Sequence, residues 1–178
     1  GEDFTLKSLR NDGYEAVFLG IGTPGGVKLS LPGSEGDGVV DGLSFLKQYN
    51  LRGSVPVGKK VVIVGGGNAA TDAARTAVRL GAEVTMVYRR TQAQMPAYAE
   101  EIEQALEEGV RILTLTHPVQ ILREGDRIVG VECQPMALGD FDRSGRRRPI
   151  DSAQEHRILE ADQVIFAIGQ DFDFSKIA

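Results

Sequence analysis

An apolar strand that enters a tight glycine turn and leaves it as an alanine-rich helix constrains the fold of this chain more than any other feature. The run is Lys60-Val61-Val62-Ile63-Val64-Gly65-Gly66-Gly67-Asn68-Ala69-Ala70. Its β-branched residues favour a buried strand, and its glycines supply the turn that joins a parallel strand to the following helix. This strand-turn-helix context predicts a dinucleotide-binding βαβ unit.

The positions of the turn have different predicted roles. Gly65 allows the turn itself, Gly67 lets the backbone approach a pyrophosphate, and Ala70 keeps the helix close to the strand. The free N–H groups at the start of the helix are predicted to face the phosphates. We therefore expect six adjacent residues to bind the cofactor: Gly65, Gly66, Gly67, Asn68, Ala69 and Ala70.

The same glycine pattern occurs a second time, in Gly20-Ile21-Gly22-Thr23-Pro24-Gly25, after a predicted apolar strand from Ala16 to Leu19. The residues that follow include Pro32 and Gly33, and the stretch contains too many helix breakers to begin a helix. We predict no phosphate site here. The pattern alone is therefore weak evidence, and its context carries the inference.

Composition narrows the classes of function. The 178 residues carry a net charge of −5, which argues against nucleic acid as a partner because phosphate backbones favour dense Lys/Arg surfaces. There is no apolar run of about 18 residues and no signal-peptide pattern, so we expect no membrane association. The single cysteine, Cys133, excludes an internal disulfide and a cysteine-rich metal site. A cytoplasmic protein is expected.

Further elements follow the glycine turn. The first helix ends at Gly81, Glu83 to Tyr88 is predicted as a second parallel strand, and Tyr98 to Glu108 has helical spacing. Later strands are predicted at Arg111–Thr116, Val119–Arg123, Ile128–Gln134 and Ile158–Leu159. Their close spacing suits an antiparallel β-meander. The predicted fold class is α/β: a Rossmann-like, three-layer pyridine-nucleotide-binding domain with a parallel sheet and a meander.

The two ends of the chain carry similar strand-exit patterns, in Ala16–Gly22 and Gln163–Gly169. This faint repeat suggests two related nucleotide-binding units, with only the tail of one present. We accordingly predict a tail fragment of an FAD-type domain plus a linker helix in 1–52, the nucleotide-binding domain in 53–170, and a return segment in 171–178. Residues 23–52 are predicted as linker plus one helix, Leu43 to Tyr49, capped by Asp41.

Several motifs in a fixed order resemble those of flavin-dependent pyridine-nucleotide oxidoreductases, and most closely the small (β) subunit of NADPH-dependent glutamate synthase. They are the fingerprint Val62 to Arg75, Val87-Tyr88-Arg89-Arg90, Met95-Pro96-Ala97, Gly145-Arg146-Arg147-Arg148-Pro149 and Ala161 to Gln170. The similarity covers nearly the whole chain. The combination is far more specific than any single motif.

The resemblance implies an NADPH domain inserted into an FAD domain, with Tyr14–Gly22 and Gln163–Gly169 as the crossing points. Gly169, at the end of the second crossing, is predicted to contact the cofactor. The family's FAD fingerprint and its N-terminal iron–sulfur cysteines are missing from this sequence. We therefore expect FAD in the full-length parent, but neither FAD binding nor turnover by this chain alone. The implied partners are the parent's flavin domain and a large electron-accepting subunit.

Arg89 and Arg90 follow the second strand, where an NAD-specific domain has an acid that accepts the ribose 2′-hydroxyl. Two guanidinium groups instead suit a 2′-phosphate. We predict NADPH as the cofactor in preference to NADH. The alternative is a solvated charge pair at a strand end.

Two further charged features have alternative interpretations. In related adrenodoxin-reductase-like enzymes a glutamate after the paired arginines contacts the nicotinamide end, and Glu101 is the matching position; alternatively, Glu101 is one of several exposed helix acids. The run Arg146, Arg147 and Arg148 is either a docking or phosphate-contacting site or a solvated loop.

The remaining candidate residues predict no chemistry of their own. His117 and His156 lack a second ligand at metal spacing, and Cys133 alternates with apolar residues as a buried strand thiol does. No nucleophile–base arrangement supports hydrolysis, and we predict no catalytic or metal-binding residue. Two functions stay open: a domain that presents NADPH to a flavin, and a non-catalytic NAD(P)-sensing module.

Overall fold

The computed structural model describes residues 5–20, 22–23, 25–27, 29–143 and 145–171. The helices are α1 (Leu6–Asn11), α2 (Gly42–Arg52), α3 (Asn68–Arg79) and α4 (Ala99–Glu107), with a short 3₁₀ helix at Gln92–Gln94. The strands up to the middle of the chain are β1 (Gly25–Gly26), β2 (Val39–Asp41), β3 (Lys60–Val64), β4 (Glu83–Tyr88) and β5 (Arg111–Thr114). The later strands are β6 (Thr116–Glu124), β7 (Arg127–Phe141), β8 (Arg147–Asp151), β9 (Arg157–Glu160), β10 (Gln163–Phe166) and β11 (Gln170–Asp171).

A five-stranded parallel sheet forms the middle layer, in the order β2-β10-β3-β4-β5. Strand β3 lies at its centre, and four of its five residues are buried. Val61 and Ile63 pack with the helices, whereas Val62 and Val64 pack with residues of the second sheet. This alternation with both faces covered is what a continuous Val/Ile run encodes in a parallel sheet.

The helices α2, α3 and α4 contribute to the layer on one face of the sheet. Small residues let α3 approach closely, since Ala70, Ala73, Ala74 and Ala77 are fully buried. Their spacing places them on one face of the helix, while Arg79 on the opposite face is exposed. Phe45 of α2 and Ile102 of α4 complete the same core.

An antiparallel sheet covers the other face. In it β6 pairs with β7, and β7 pairs with both β8 and β9. Its inward residues Ile121, Ile128 and Val131 join Val164 and Phe166 of the parallel sheet in a second core. The molecule therefore has the three layers predicted from the sequence: helices, parallel sheet and meander.

Many predicted elements agree closely with the structure. Strand β4 covers Glu83–Tyr88, and α4 covers Ala99–Glu107 within the predicted helix. Asp41 caps α2, and its carboxylate accepts a hydrogen bond from the Ser44 N–H at 2.9 Å. The predicted strand 111–116 divides in two, because Leu115 adopts a left-handed φ of 49° between β5 and β6.

The N-terminal part differs from the prediction. Ala16–Leu19 is not a strand, and Phe18 is 95% exposed. An apolar run forms a strand only where a neighbouring strand pairs with it, and none does so within the described residues. Helix α1 and the short strands β1 and β2 were not predicted; β1 pairs with β11, and β2 pairs with β10 at the edge of the main sheet.

Parts of three predictions lie outside the described residues. These are 1–4 and Lys28 of the predicted tail fragment and linker, Ile21 and Pro24 of the second glycine turn, and 172–178 of the predicted return segment. In the part of the chain that is described, no helix has both the length and the apolar character needed to cross a bilayer.

Candidate nucleotide-binding site

A cleft of about 480 Å³ lies at the carboxyl ends of the central strands. The strand order reverses at β3, because β4 lies on one side of it and β10 on the other. Ligands of open α/β sheets bind at this kind of crevice. The first wall of the cleft is the turn after β3, and the second is the segment after β10.

The three glycines of the turn meet different surroundings. A Cβ on Gly65 would lie 2.3 Å from the Ala167 carbonyl oxygen, and a Cβ on Gly66 would lie 2.6 Å from Cδ2 of Tyr88. A Cβ on Gly67 would meet no atom nearer than Pro96 Cγ at 3.7 Å. Protein packing therefore requires a glycine at the first two positions, whereas the space over the third opens onto the cleft.

Helix α3 begins at this turn with its first amide groups unused. Gly67 is the N-cap and offers no side-chain hydrogen bond. The N–H groups of Asn68 and Ala69 have no acceptor among the described residues. Both residues line the cleft, so free donors and the positive end of the helix dipole lie beside it.

The segment after the 3₁₀ helix holds the turn in place. The Ala97 N–H donates to the Gly66 carbonyl at 3.1 Å, and the Tyr98 N–H donates to the Asn68 side-chain oxygen at 3.1 Å. The motif Met95-Pro96-Ala97 thereby acquires a structural role. Its Met95 and Ala97 are buried, and Pro96 lines the cleft.

The two arginines after β4 have different environments. Arg90 is 6% exposed; it donates to the Arg147 carbonyl at 3.1 Å and lies 3.2 Å from an Asp142 carboxylate oxygen. Arg89 is exposed, lines the cleft, and forms no hydrogen bond or ion pair within the described residues. Arg89 is thus the arginine of the pair that is available to an anionic ligand.

The arginines of the β7–β8 hairpin also differ in position: Arg146 lines the cleft, whereas Arg147 does not. Arg147 reaches across the hairpin to the Gly139 and Leu138 carbonyls at 2.9 and 2.8 Å. Arg146 lines the cleft, and its N–H donates to the Asp142 carboxylate at 3.1 Å. The hairpin therefore brings a cleft-lining cation close to Arg90 and contributes to the cleft wall.

Three residues at the start of β6, Thr116, His117 and Pro118, also line the cleft and were not predicted as site residues. His117 is half-buried. Burial and the Arg89 guanidinium lower the pKa of His117, while Asp151 opposes this shift. Their position directly after the parallel strand β5 was the available sequence signal, because carboxyl ends of parallel strands share one edge of the sheet.

Glu101 lies elsewhere. Its carboxylate pairs with Arg75 Nη1 at 2.7 Å, and Arg75 also pairs with Glu108 at 2.8 Å. Hydrogen bonds from Arg79 and then Arg75 lower the pKa of Glu108. This network joins α3 to α4, and Glu101 is not among the residues that line the cleft.

Gly169 lines the end of the cleft beyond β10, together with Ile168 and Gln170. Its carbonyl accepts a hydrogen bond from the Val27 N–H at 3.1 Å, next to the paired strands β1 and β11. The short strands β1 and β11 thus meet at the end of the cleft that Gly169 lines. Arg89 lies on the other side of β3, at the end of β4.

The cleft has the features that a dinucleotide needs. The space above Gly67 accommodates close approach, the start of α3 provides N–H donors, and Arg89 provides a cation beside the next strand. Within the described ranges, no cluster of His, Cys, Asp and Glu has the arrangement of a metal site.

The family model described as pyridine nucleotide-disulphide oxidoreductase matches residues 2–175. The chain belongs to this family. Among its relatives, the NADPH-Fe(3+) oxidoreductase subunit beta of Geobacter sulfurreducens is 43% identical over 99% of this chain and 27% of its own length. The glutamate synthase [NADPH] small chain of Escherichia coli is 38% identical over 95% of this chain and 38% of its own length.

A solved structure has a similar fold. The structure of Mycobacterium tuberculosis FprA in complex with NADPH superposes with a TM-score of 0.69 at 20% identity, over 84% of this chain and 49% of that one. The likeness supports the Rossmann-like fold. The chain spans about a quarter to two-fifths of the curated relatives described above.

Proposed function

We propose that this chain is the NADPH-binding domain of a flavin-dependent oxidoreductase similar to the glutamate synthase small subunit. Bound NADPH would supply a hydride to FAD carried by the remainder of the parent protein. The observation that carries the proposal is the cleft in which Gly67, the free start of α3 and Arg89 follow one another along the edge of the sheet.

The order of these groups supports one direction for the bound nucleotide. The pyrophosphate would lie over Gly67 and accept hydrogen bonds from the Asn68 and Ala69 N–H groups. The 2′-phosphate of the adenosine half would lie at Arg89, after β4. The nicotinamide half would then extend across β10 toward Gly169, where a flavin domain joined through the neighbouring chain segments could receive it.

In this scheme the chain binds and orients the cofactor, and no acid, base or nucleophile from the chain takes part. The names of two relatives refer to NADPH, in the Fe(3+) oxidoreductase and in glutamate synthase, which supports the choice of nucleotide. The exposure of Arg89, which has no ion-pair partner among the described residues, supports it independently, because a guanidinium suits a phosphate better than a ribose hydroxyl.

A titration of the isolated chain with NADPH, NADH and FAD tests the proposal. We expect saturable NADPH binding with chemical-shift changes centred on Gly65–Ala70 and Arg89, weaker NADH binding, and no FAD binding. Equal affinity for NADH and NADPH would contradict the cofactor assignment. Shifts confined to residues outside the cleft would contradict the site.

The hydride-transfer role requires the longer parent protein. NADPH should bleach the flavin of that protein anaerobically, and NADH should do so more slowly. Flavin colour without bleaching, together with NADPH binding, would instead favour the sensing module.

A further inference from the structure

His117 is a cleft residue that the proposed function does not use. It lies at the start of β6, is half-buried, and forms no side-chain hydrogen bond within the described part of the chain. The other histidine, His156, has both ring nitrogens within 2.7 Å of oxygens of Glu132 and Gln134 and lies outside the cleft. The two histidines therefore differ in the feature that matters, an open ring facing a ligand-sized space.

Backbone hydrogen bonds fix His117 beside the arginines. The Leu115 N–H donates to the Arg90 carbonyl at 2.9 Å, which ties the start of β6 to the end of β4. Asp142 accepts from both the Arg90 side chain and the Arg146 N–H, which brings the hairpin to the same place. Three elements thus place Arg89, His117 and Arg146 on one wall of the cleft.

Two charged groups of opposite sign act on His117, and the positive one has the larger effect. Arg89 acts on it from the end of β4, and Asp151 acts on it from β8. Arg90 and Arg146 also line the cleft, although the charge of Arg90 is balanced by Asp142. Burial and Arg89 together lower the pKa of His117, so its ring is mainly neutral near pH 7 in the absence of an anion.

A phosphate monoester bound at Arg89 would reverse the electrostatic effect that Arg89 has on His117. It carries a charge between −1.5 and −2 at about pH 7, which outweighs a single guanidinium, and its oxygens are strong hydrogen-bond acceptors. A nearby imidazole is then stabilised in its protonated, doubly donating form.

We infer that His117 is a further contact of the ribose 2′-phosphate and takes up a proton from solvent when that phosphate enters the cleft. Discrimination between phosphorylated and unphosphorylated nucleotide therefore depends on pH through this residue. The inference rests on the proposed function, because it requires the adenosine end of the nucleotide at Arg89. It adds a specificity-determining residue, since neither the glycine turn nor the arginine pair contains it.

The direction of the dependence follows from proton uptake. A group whose pKa rises on binding makes the ligand bind more tightly as the pH falls from above the bound-state pKa to below the free-state pKa. If bound phosphate raises the pKa of His117, the affinity for the phosphorylated nucleotide rises as the pH falls through this range. Protonation of the phosphate itself, with a pKa near ~6, works in the opposite direction at the acid end.

The test compares 2′,5′-ADP with 5′-AMP on the full 178-residue chain. Dissociation constants are measured between pH 6 and 8.5 for the wild type, His117→Gln and the matched control His156→Gln. We expect the preference for 2′,5′-ADP to increase severalfold toward pH 6.5 in the wild type and the control. In His117→Gln the increase should be absent.

A second measurement needs no substitution at the site. The Hε1 resonance of His117, assigned by comparison with the variants, should titrate at a higher pH with 2′,5′-ADP bound and not with 5′-AMP bound. Calorimetry in two buffers of different ionisation enthalpy should show proton uptake for 2′,5′-ADP binding near pH 7.

The outcomes separate the two proposals. Tight 2′,5′-ADP binding with the same pH profile in wild type and His117→Gln, and an unmoved His117 titration, would overturn this inference and leave the proposed function standing. Absence of binding by 2′,5′-ADP, 5′-AMP and NADPH would overturn both.

Discussion

The side chain of Arg90 is held by Asp142, whose carboxylate lies 3.2 Å from Nη2 of the buried guanidinium. Asp142 belongs to the segment that joins β7 to β8, so this ion pair connects the end of the parallel sheet to the meander. The same carboxylate accepts from the Arg146 N–H at 3.1 Å. One acidic residue thus fixes both a cation beneath the cleft and the hairpin at its rim.

We expect Asp142→Ala to destabilise the chain by about 2 kcal/mol, because the buried Arg90 guanidinium would lose its partly buried ion-pair partner. Urea unfolding measures this change. Asp140→Ala is the matched control, since Asp140 is an exposed acid near the end of β7, close to Asp142 in the sequence. NADPH affinity should also fall for Asp142→Ala, as the hairpin that carries Arg146 loses its attachment. Equal stability of the two variants would contradict the role assigned to the ion pair.

Substitutions of Arg89 should have the opposite effect: they should weaken NADPH binding and leave the free energy of unfolding unchanged. A charged hydrogen bond contributes about 1.5–3 kcal/mol, so Arg89→Ala should weaken NADPH binding roughly 10- to 100-fold and leave NADH binding nearly unchanged. Arg89→Glu should abolish or reverse the preference. Fluorescence or calorimetric titration with both nucleotides, together with unfolding curves, provides the measurement.

Arg111→Ala is a suitable control for Arg89. Arg111 is also exposed, but it begins β5 and therefore lies at the amino edge of the sheet, away from the cleft. A similar loss of NADPH affinity in both variants would indicate a general charge effect.

Much of the central fold could be predicted because local and tertiary preferences agree there. The Val/Ile run of β3, the glycine turn and the small face of α3 all specify one βαβ unit, and β4 has the predicted bounds. The segment 16–19 shows where this reasoning fails. Its apolar pattern predicts a strand, but strand formation depends on a pairing partner that a local pattern does not reveal.

The sequence likewise predicts some residues of the site and misses others. The glycine turn could be predicted because its backbone demands are local, whereas the difference between Arg89 and Arg90 could not. That difference depends on Asp142, which lies 52 positions away along the chain. His117 was weighed only as a metal ligand, and its place beside the arginines depends on the hydrogen bond between the Leu115 N–H and the Arg90 carbonyl, which joins distant parts of the chain.

Substitution of Glu101 tests whether this residue contacts the nicotinamide end of the cofactor, as the family resemblance implies. Because its carboxylate pairs with Arg75 and does not line the cleft, we expect Glu101→Ala to leave NADPH affinity within about twofold. A partly exposed pair contributes at most about 1 kcal/mol, so thermal stability should fall only slightly. Glu103→Ala, an exposed acid on the same helix, is the control. A selective loss of flavin reduction in the parent protein would instead support contact with the nicotinamide end.

Cys133 should be inert in the folded chain. It is fully buried, and burial raises the pKa of its thiol to about 12. Relative to an ordinary thiol pKa of 9.0, the thiolate fraction falls by about a thousandfold, and alkylation at pH 8 should be slower by at least this factor than in urea. Because the folded chain holds the thiol proton more tightly than the unfolded chain, the free energy of unfolding decreases as the pH rises from 9.0 toward about 12. Rapid labelling of the native chain would contradict the buried environment.

The three glycines of the turn allow folding and binding to be separated by one methyl group. Gly65→Ala places a Cβ against the Ala167 carbonyl at a φ of 150°, and neither backbone moves freely. We expect the free energy of unfolding to fall by about 3 kcal/mol or more, at the upper end of typical overpacking costs.

Gly67 has an ordinary φ and open space around it, so Gly67→Ala should lower the free energy of unfolding by less than about 1 kcal/mol, the difference between glycine and alanine at an N-cap. Its Cβ would nevertheless occupy the space assigned to the pyrophosphate, and affinity for NADPH and NADH should fall together by tenfold or more. Unfolding curves and titrations of the two variants check this, and unchanged nucleotide affinity in a folded Gly67→Ala chain would contradict the placement of the phosphates.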